Sequence, residues 1–320
     1  MNSPMMILST PPLRPLFAGF SGLLAPGLDQ NQLEQLLGPN PFTRLQAGPP
    51  FEFVQQTYDK GSWVYRACAD LGQGGQLYYF KVGREAEVWR VMLGRMFSSR
   101  GLKRPLHYPR KFLGLLRAPS EAVISWQAAK FLGQQGIATP ELVALLLRRR
   151  RGFREEYLVS RAVPRVNSAS LKQYLPRTFG PGSGPFDLAA KRRLLEELAR
   201  FLRRVLALPL HFPDLKVHNV LLQEQEPGRP HFLIMDLNEA TETKPADEAV
   251  IILERFNRSL PFTSGITQTD RLRFLKAFLV AGGDPRDWRE LSRAIAERGR
   301  VHRKPGKPLV PRPAPSPPSA

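Results

Sequence analysis

Cysteine, long apolar runs and acidic residues are all scarce in this sequence of 320 residues. The single cysteine, Cys68, excludes an intrachain disulfide framework and a zinc site built from several cysteines. No apolar run approaches the ~18 residues that a membrane-spanning helix requires. The N-terminus is interrupted by prolines and lacks the basic start and long apolar core of a secretory signal, so we expect a cytoplasmic protein.

The acidic residues are too few to balance the basic ones. The chain has 28 Asp and Glu against 47 Lys and Arg, which gives a formal net charge of +19. Such a charge favours an anionic partner, whether nucleic acid, anionic lipid or a phosphorylated glycolipid, and does not choose among them. Apolar residues make up 42% of the chain, enough for the core of one two-lobed domain or of two ordinary ones.

One stretch, residues 211–238, does contain a distinctive pattern, because polar side chains there flank two short apolar runs. The runs at 220–222 and 232–235 are joined by a connector with proline and glycine, which predicts two paired strands. Polar residues come just before the first run and directly after the second. The strands would therefore hold these side chains near one point.

The polar residues of this stretch resemble a phosphoryl-transfer site. Asp214 and Asn219 have the separation of the Asp and Asn in the protein-kinase catalytic loop H-R-D-L-x-x-x-N. Asp214 would accept the proton of the attacking hydroxyl, and Lys216 would place a positive charge over the phosphoryl group. Asn219 and Asp236 would hold Mg²⁺. His211 is one position too early for the kinase histidine and receives no role, and a polar turn is the alternative interpretation.

A second candidate lies earlier in the chain, where strand-like runs at 62–69 and 77–82 flank a glycine-containing turn. Lys81 is inside the second run, YYFKV. It is either an edge residue with a solvated ammonium or the kinase strand lysine that binds phosphates, and the later stretch favours the second reading. No G-x-G-x-x-G precedes it, so a plain hairpin around Lys60 and Gly61 is the predicted phosphate cover.

A helical pattern follows, and Glu121 in its first turn is the acid that a kinase would pair with its strand lysine. The alternative is a carboxylate that stabilises the helix N-terminus. Two strands are then predicted at 141–147 and 156–163. The exit of the second, from Ser160 to Val163, would be the hinge whose backbone binds adenine.

Residues 84–117 interleave many Lys and Arg with aromatic side chains. A solvated helix face explains this pattern as well as a surface that receives an anionic substrate or a membrane does. The pattern alone does not exclude nucleic acid.

The second half of the chain is rich in helical patterns, at 187–208, 247–260, 269–281 and 284–298. A strand-rich first half before them predicts an α+β, bilobal protein-kinase-like fold with a small β-rich N-lobe and a helical C-lobe. The predicted divisions are a partly ordered N-terminal extension (1–50), the N-lobe (51–163), the C-lobe (164–299) and a disordered, basic, Pro-rich tail (300–320).

Four stretches resemble the lipopolysaccharide core kinases of the Kdo/WaaP family, which are relatives of protein and RIO kinases. The stretches are YYFKV at Lys81, SEAVISWQAAKFLGQQGIATPELVAL at 120–145, FPDLKVHNVLL through LIMDLN at 212–238, and LERFNRSLPFTSGITQTDRLRFLKAFL at 253–279. The second and fourth are more specific to this family than any general kinase motif. The resemblance covers roughly residues 60–295.

This resemblance implies transfer of phosphate from ATP, with Mg²⁺, to a Kdo or heptose hydroxyl of the lipopolysaccharide core. It implies an anionic glycolipid substrate and peripheral contact with the cytoplasmic face of the inner membrane, and no nucleic-acid partner is expected. Asp214 resembles the family's catalytic aspartate, Lys81 its phosphate-binding lysine and Asp236 its metal aspartate.

Three positions depart from the family pattern. Ser125 stands where glutamate is frequent, Asn219 where many members have histidine, and Asn238 where a second aspartate is common. Three other hypotheses stay open on the sequence: a pseudokinase scaffold, a nucleic-acid-binding module, and a kinase that acts on a protein serine or a small sugar.

Overall fold

The computed structural model describes residues 8, 11–57, 62–72, 74–88, 90, 120–164, 168–184, 187–226, 229–260, 264–283 and 286–301. Most of the predicted basic surface, the hairpin at Lys60 and Gly61, and nearly all of the predicted tail lie outside these residues. In the part of the chain that is described, no helix has the length and apolarity needed to span a bilayer.

Seven antiparallel strands form the main sheet, in the order β1-β2-β6-β7-β5-β4-β3. They are β1 (Arg14–Pro15), β2 (Ser21–Leu24), β3 (Glu52–Thr57), β4 (Ser62–Asp70), β5 (Gly75–Arg84), β6 (Leu142–Arg150) and β7 (Phe153–Arg161). In β4, Trp63, Tyr65 and Ala67 are buried and alternate with more exposed residues, as the period of a strand with one face on a core requires. The paired runs predicted around Lys81 are confirmed.

The segment before residue 50, predicted to be an extension, takes part in this sheet. β2 pairs with β6, and Gly22 permits the approach, because a Cβ there would lie 1.9 Å from the Leu145 carbonyl oxygen. Helix α1 (Gln30–Leu37) is capped by Asp29, whose carboxylate accepts from the N–H groups of Asn31 and Gln32. With α2 (Pro41–Gln46), it packs buried leucines against the sheet. The predicted division at residue 50 stays a prediction.

Helix α3 (Glu121–Gln134) covers the other face of the sheet and also contacts the helical part of the molecule. Ser120 caps its start by accepting from the Val123 N–H at 3.2 Å. Its first turn packs Ala122 and Val123 against the sheet, while later residues of the helix join the core of the helical part. It therefore connects the two lobes and forms one wall of the space between them.

A second, three-stranded sheet has the order β10-β9-β8 and follows the main sheet in the chain. Its strands are β8 (Ser168–Ser170), β9 (Val220–Glu226) and β10 (Arg229–Ile234). β9 and β10 are antiparallel, with Val220 opposite Ile234, so the strand pair predicted in the 211–238 stretch is confirmed. The N–H of Ile234 also donates to the Ala138 carbonyl at 3.0 Å, which ties this sheet to the loop after α3.

Five helices form most of the second lobe: α4 (Leu171–Phe179), α5 (Leu188–Ala207), α6 (Glu248–Ser259), α7 (Gln268–Ala281) and α8 (Trp288–Val301). α5 buries one leucine-rich stripe and leaves most of its arginines and glutamates toward solvent, as its period predicts. The four predicted helices are found. The predicted α+β architecture, a β-sheet lobe followed by a helical region, is confirmed.

Candidate active site

A cleft of about 630 Å³ lies between the two lobes. Its walls come from β4, β5 and β7 of the main sheet, from α3, and from the three-stranded sheet. The residues predicted from the sequence that line it are Lys81, Glu121, Ser160, Val163, Asn219 and Asp236. Asp214 and Lys216 lie beside the cleft, where Asp214 and Asp236 share a small recess.

Lys81 and Asp236 form an ion pair across this cleft. Lys81 is central in the sheet, between Val64 of β4 and Leu158 of β7, and is not the edge residue that the alternative interpretation required. Its Nζ lies 2.7 Å from Asp236 Oδ1. Both side chains are partly exposed, at 31% and 41%, so the pair contributes little to stability and can exchange partners.

Asp236 lies just beyond β10, after Met235, and has an unusual backbone conformation. Its φ of 58° is in the left-handed region, which Asp tolerates better than most residues. The N–H of the preceding Met235 donates to the Asn219 carbonyl at 2.8 Å. This contact brings the end of β10 beside the loop that carries Asp214. Such local strain is concentrated at functional sites.

Asp214 is oriented by two neighbours in the loop. Lys216 Nζ lies 2.8 Å and 2.9 Å from its two carboxylate oxygens. Asn219 Nδ2 donates to Asp214 Oδ2 at 2.9 Å and to its backbone carbonyl at 3.0 Å. Because Nδ2 is the donor end of the amide, Asn219 presents its Oδ1 as an oxygen acceptor.

The loop holds these side chains in place by burying alternate residues. Leu215 and Val217 are buried, at 1% and 0%, while Asp214 and Lys216, which alternate with them in the chain, stay partly exposed. His211, which received no role from the sequence, is buried, and its Nδ1 lies 2.7 Å from Glu248 Oε1 in α6. His211 therefore fixes the start of the loop to the helical lobe.

Glu121 does not contact Lys81, the partner that the kinase pattern suggested. It accepts a hydrogen bond of 2.8 Å from Asn238 Nδ2, while the lysine pairs with Asp236. Glu121 is in the first turn of α3, one turn before Ser125, whose hydroxyl donates to the Glu121 carbonyl at 2.9 Å. No local sequence pattern predicts this contact, because it joins residues 117 positions apart.

The strand at the predicted adenine hinge ends two residues earlier than expected. β7 ends at Arg161, and the next N–H, that of Ala162, still donates to the Leu77 carbonyl at 2.8 Å. Ser160 is inside the strand, opposite Tyr79 and Leu142, and lines the cleft. Val163 follows the strand. The apolar side chains of Leu142 and Leu158 line the cleft nearby.

The cleft has the groups that a magnesium nucleotide requires. Asp236 and Asn219 offer oxygen ligands, Lys81 offers a cation for phosphates, and leucines form apolar walls for a base. The described residues contain no cluster of three or more His, Cys, Asp or Glu suited to a metal ion. Mg²⁺ in phosphoryl-transfer sites is held by one or two carboxylates together with substrate phosphates, and Asp236 offers such a carboxylate here.

Comparisons with known proteins identify the family and the fold. The family model described as "Lipopolysaccharide kinase (Kdo/WaaP) family" matches residues 105–278, a span that contains Asp214, Asn219 and Asp236. A solved structure described as "WaaP in complex with acyl carrier protein" has a TM-score of 0.56 and 19% sequence identity, over 86% of this chain and 97% of that chain. No curated protein matches the sequence. The structural likeness confirms the predicted protein-kinase-like fold.

Proposed function

This chain belongs to the lipopolysaccharide kinase (Kdo/WaaP) family, and we propose on that premise that it transfers phosphate from ATP to a Kdo or heptose hydroxyl of the lipopolysaccharide core. The observation that carries the proposal is the convergence of three predicted groups. Lys81 meets Asp236 at 2.7 Å across the cleft, and the Asn219 loop brings Asp214 to the same place.

The cleft residues bind and orient the nucleotide in this proposal. Lys81 exchanges its carboxylate partner for phosphate oxygens, which a half-exposed ion pair permits at low cost. Asp236 and Asn219 would hold Mg²⁺ through oxygen atoms. When bound, the metal ion would offset the negative charge of the phosphates. The leucine side chains around Ser160 and Val163 exclude water from the base.

Asp214 acts on the acceptor. Its carboxylate accepts from Lys216 and Asn219, and Asp214 lines a small recess together with Asp236, so it would accept the proton of a sugar hydroxyl presented beside this recess. Lys216, whose ammonium sits on this carboxylate, supplies positive charge next to the transferring group. Asp214 and Lys216 are therefore the proposed catalytic residues.

The Asp214→Asn variant tests this assignment. We expect transfer of labelled phosphate from ATP to Kdo- or heptose-containing acceptors to fall by about 10²–10⁴-fold, the usual contribution of a general base. Binding of Mg-ATP should be retained, because Asp214 does not line the nucleotide cleft. Asp287→Asn, an exposed substitution near α8, is the matched control and should transfer normally. Undiminished transfer by Asp214→Asn would remove the mechanism.

The alternative of a pseudokinase scaffold is favoured by one observation. Lys81 is paired with Asp236, and Glu121 of α3 contacts Asn238 instead of this lysine. A scaffold differs from the proposed enzyme in one measurable property, because a scaffold of this kind neither binds nor turns over Mg-ATP.

A kinase that acts on another acceptor is a separate alternative. Transfer to a protein serine or a small sugar, without transfer to core oligosaccharide, would support it.

We propose that the protein binds its glycolipid substrate at the cytoplasmic face of the inner membrane. The support is the net charge of +19, which attracts anionic glycolipid and lipid surfaces. Binding to vesicles that contain anionic lipid, lost when salt is raised and absent on neutral vesicles, is the expected result. Equal binding to both kinds of vesicle would contradict an electrostatic membrane contact.

An acyl carrier protein is a second proposed partner. The support is that WaaP, which has a similar fold, was solved in complex with acyl carrier protein. The purified chain mixed with purified acyl carrier protein should elute as one complex in gel filtration. Separate elution at micromolar concentrations would dismiss this partner.

A further inference from the structure

Two contacts cross the cleft from the short segment that follows β10. Asp236 meets Lys81 of the main sheet, and two residues later Asn238 meets Glu121 of α3. The second contact is the more enclosed of the two, since Asn238 is only 6% exposed. Both contacts link the same segment of the helical lobe to the sheet lobe.

The chemistry of the second contact is specific. An ionised carboxylate can only accept hydrogen bonds, and the Asn238 Nδ2 group can only donate them. The amide adds no charge, so Glu121 keeps its negative charge while it is held in place. Glu121 and Lys81 line the same cavity, so this carboxylate stands on the wall that the lysine faces.

In the proposed function the carboxylate partner of Lys81 changes when nucleotide binds. Without nucleotide the partner is Asp236. In the proposed function Asp236 turns to the metal, so the lysine loses that partner as it takes up phosphate. Glu121 is the other acid among the residues that line the cleft.

We propose that Asn238 is a positioning residue for nucleotide binding, which holds Glu121 at the cleft wall so that Lys81 can pair with it when Asp236 binds the metal. The inference rests on the proposed function. It also accounts for Ser125, because the acid enters the cleft from one turn earlier in α3 and the position of Ser125 needs no carboxylate.

Replacement of the Asn238 donor by an acceptor tests this inference. Asn238→Asp places two carboxylates where one hydrogen bond of 2.8 Å now lies. Their repulsion should raise KM for ATP on the order of tenfold, as expected when a hydrogen bond to a charged group is lost. KM for the acceptor should not change, because neither residue lines the recess that Asp214 shares with Asp236.

The double variant Glu121→Gln with Asn238→Asp restores the hydrogen bond in reverse, since the glutamine amide donates to the new aspartate. It removes the Glu121 carboxylate with which Lys81 would pair. We therefore expect its KM for ATP to stay raised on the order of tenfold, as in Asn238→Asp. A merely structural role for the contact would instead return KM for ATP to the wild-type value.

Each result has one meaning. Wild-type KM for ATP in Asn238→Asp, or recovery of the wild-type KM in the double variant, overturns the inference. Failure of the wild type itself to bind Mg-ATP overturns the proposed function instead. If Asn238→Asp does not fold, Asn238→Ala takes its place: a raised KM for ATP with an unchanged acceptor KM supports the inference, and wild-type values overturn it.

Discussion

Glu156 shows how a single buried acid can change stability with pH. It is on β7, where the Ser120 hydroxyl donates to its carboxylate and Arg154 Nε lies 3.6 Å away. Burial raises the pKa of Glu156 above its usual 4.5, and the nearby carboxylates of Glu121 and Glu85 add to the increase. The Ser120 bond and Arg154 act in the opposite direction without cancelling it.

The folded state therefore holds the Glu156 proton more tightly than the unfolded chain does. As pH rises from 4.5 through the folded pKa, the folded protein loses stability from this group, and the loss is complete above that window. Glu156→Gln keeps an acceptor for Ser120 and removes the charge. We expect this variant to be more stable than wild type at neutral pH, with the difference shrinking as pH approaches 4.5.

Urea unfolding at a series of pH values measures this difference. Glu141→Gln is a suitable control, because Glu141 is an exposed acid, 49% accessible, at the start of the neighbouring strand. A stability difference for Glu156→Gln that is constant with pH would show that the buried carboxyl is not the titrating group.

The individual residues that the sequence could predict are those whose partners are close in the chain. Asp214, Lys216 and Asn219 lie within one short loop, so their spacing alone predicts their mutual contacts. The pairing of Glu121 with Asn238 depends on how α3 packs between the lobes. No local pattern specifies that packing, and both residues fit a solvent-facing role equally well in the sequence.

Helices α5 and α7 are joined by a buried ion pair. Lys191 Nζ lies 2.6 Å from Asp270 Oδ2, and both side chains are only 3% exposed. Asp270 also closes the capping box of α7 with Thr267. Burial, the largest single influence, raises the pKa of Asp270, but the bonds from Lys191 and Thr267 together outweigh it and leave the pKa below its usual 3.8.

Replacement of this lysine should destabilise the helical lobe. Lys191→Met leaves the Asp270 carboxylate buried without its main partner, and we expect a loss of about 3–5 kcal/mol in the free energy of unfolding. Because the lowered pKa stabilises the folded state above 3.8 and the effect is lost only below it, the difference should persist from pH 7 down to about 4.

Arg193→Met on the same helix is the matched control. Arg193 is 64% exposed and lies 3.6 Å from Asp187, so its replacement should change stability by less than about 0.5 kcal/mol. Equal effects of the two substitutions in denaturant unfolding would mean that burial of the ion pair has no energetic consequence.

At the scale of elements, periodicity predicts most of the fold. The helices at α5 to α8 and the strands at β4 to β7 follow from apolar spacing, with boundaries displaced by a few residues. The pairing of β2 with β6 could not be predicted in this way. β2 is four residues long, and its place in the sheet depends on the absence of a side chain at Gly22.

The whole molecule is two lobes that meet at the cleft, and nucleotide binding should therefore stabilise both together. Among the described residues, the contacts that cross the cleft include the Lys81–Asp236 ion pair, the Asn238–Glu121 hydrogen bond and the backbone bond from Ile234 to Ala138. Only the ion pair must open for the proposed nucleotide, so binding keeps the lobes connected while it adds ligand contacts to each of them.

Mg-ATP at about a hundred times its Kd should stabilise the folded protein by about 2.7 kcal/mol, or about 4 °C in Tm for a chain of this size. Asp236→Asn should lose the part of the shift that depends on Mg²⁺ and keep a smaller shift with ATP in EDTA, because Lys81 still faces the phosphates. Its Tm without nucleotide should differ little from wild type, since the half-exposed pair contributes at most about 1 kcal/mol.

The same titration separates an enzyme from a scaffold, because it depends on binding and not on turnover. Asp214→Asn should show the full wild-type shift while it fails to transfer phosphate, which is the combination that a catalytic role outside the nucleotide cleft requires. Absence of any shift in the wild type at millimolar Mg-ATP would favour the pseudokinase scaffold. The Lys81–Asp236 pair would then be a permanent contact between the lobes, and Lys81→Met would lower the Tm without affecting any ligand.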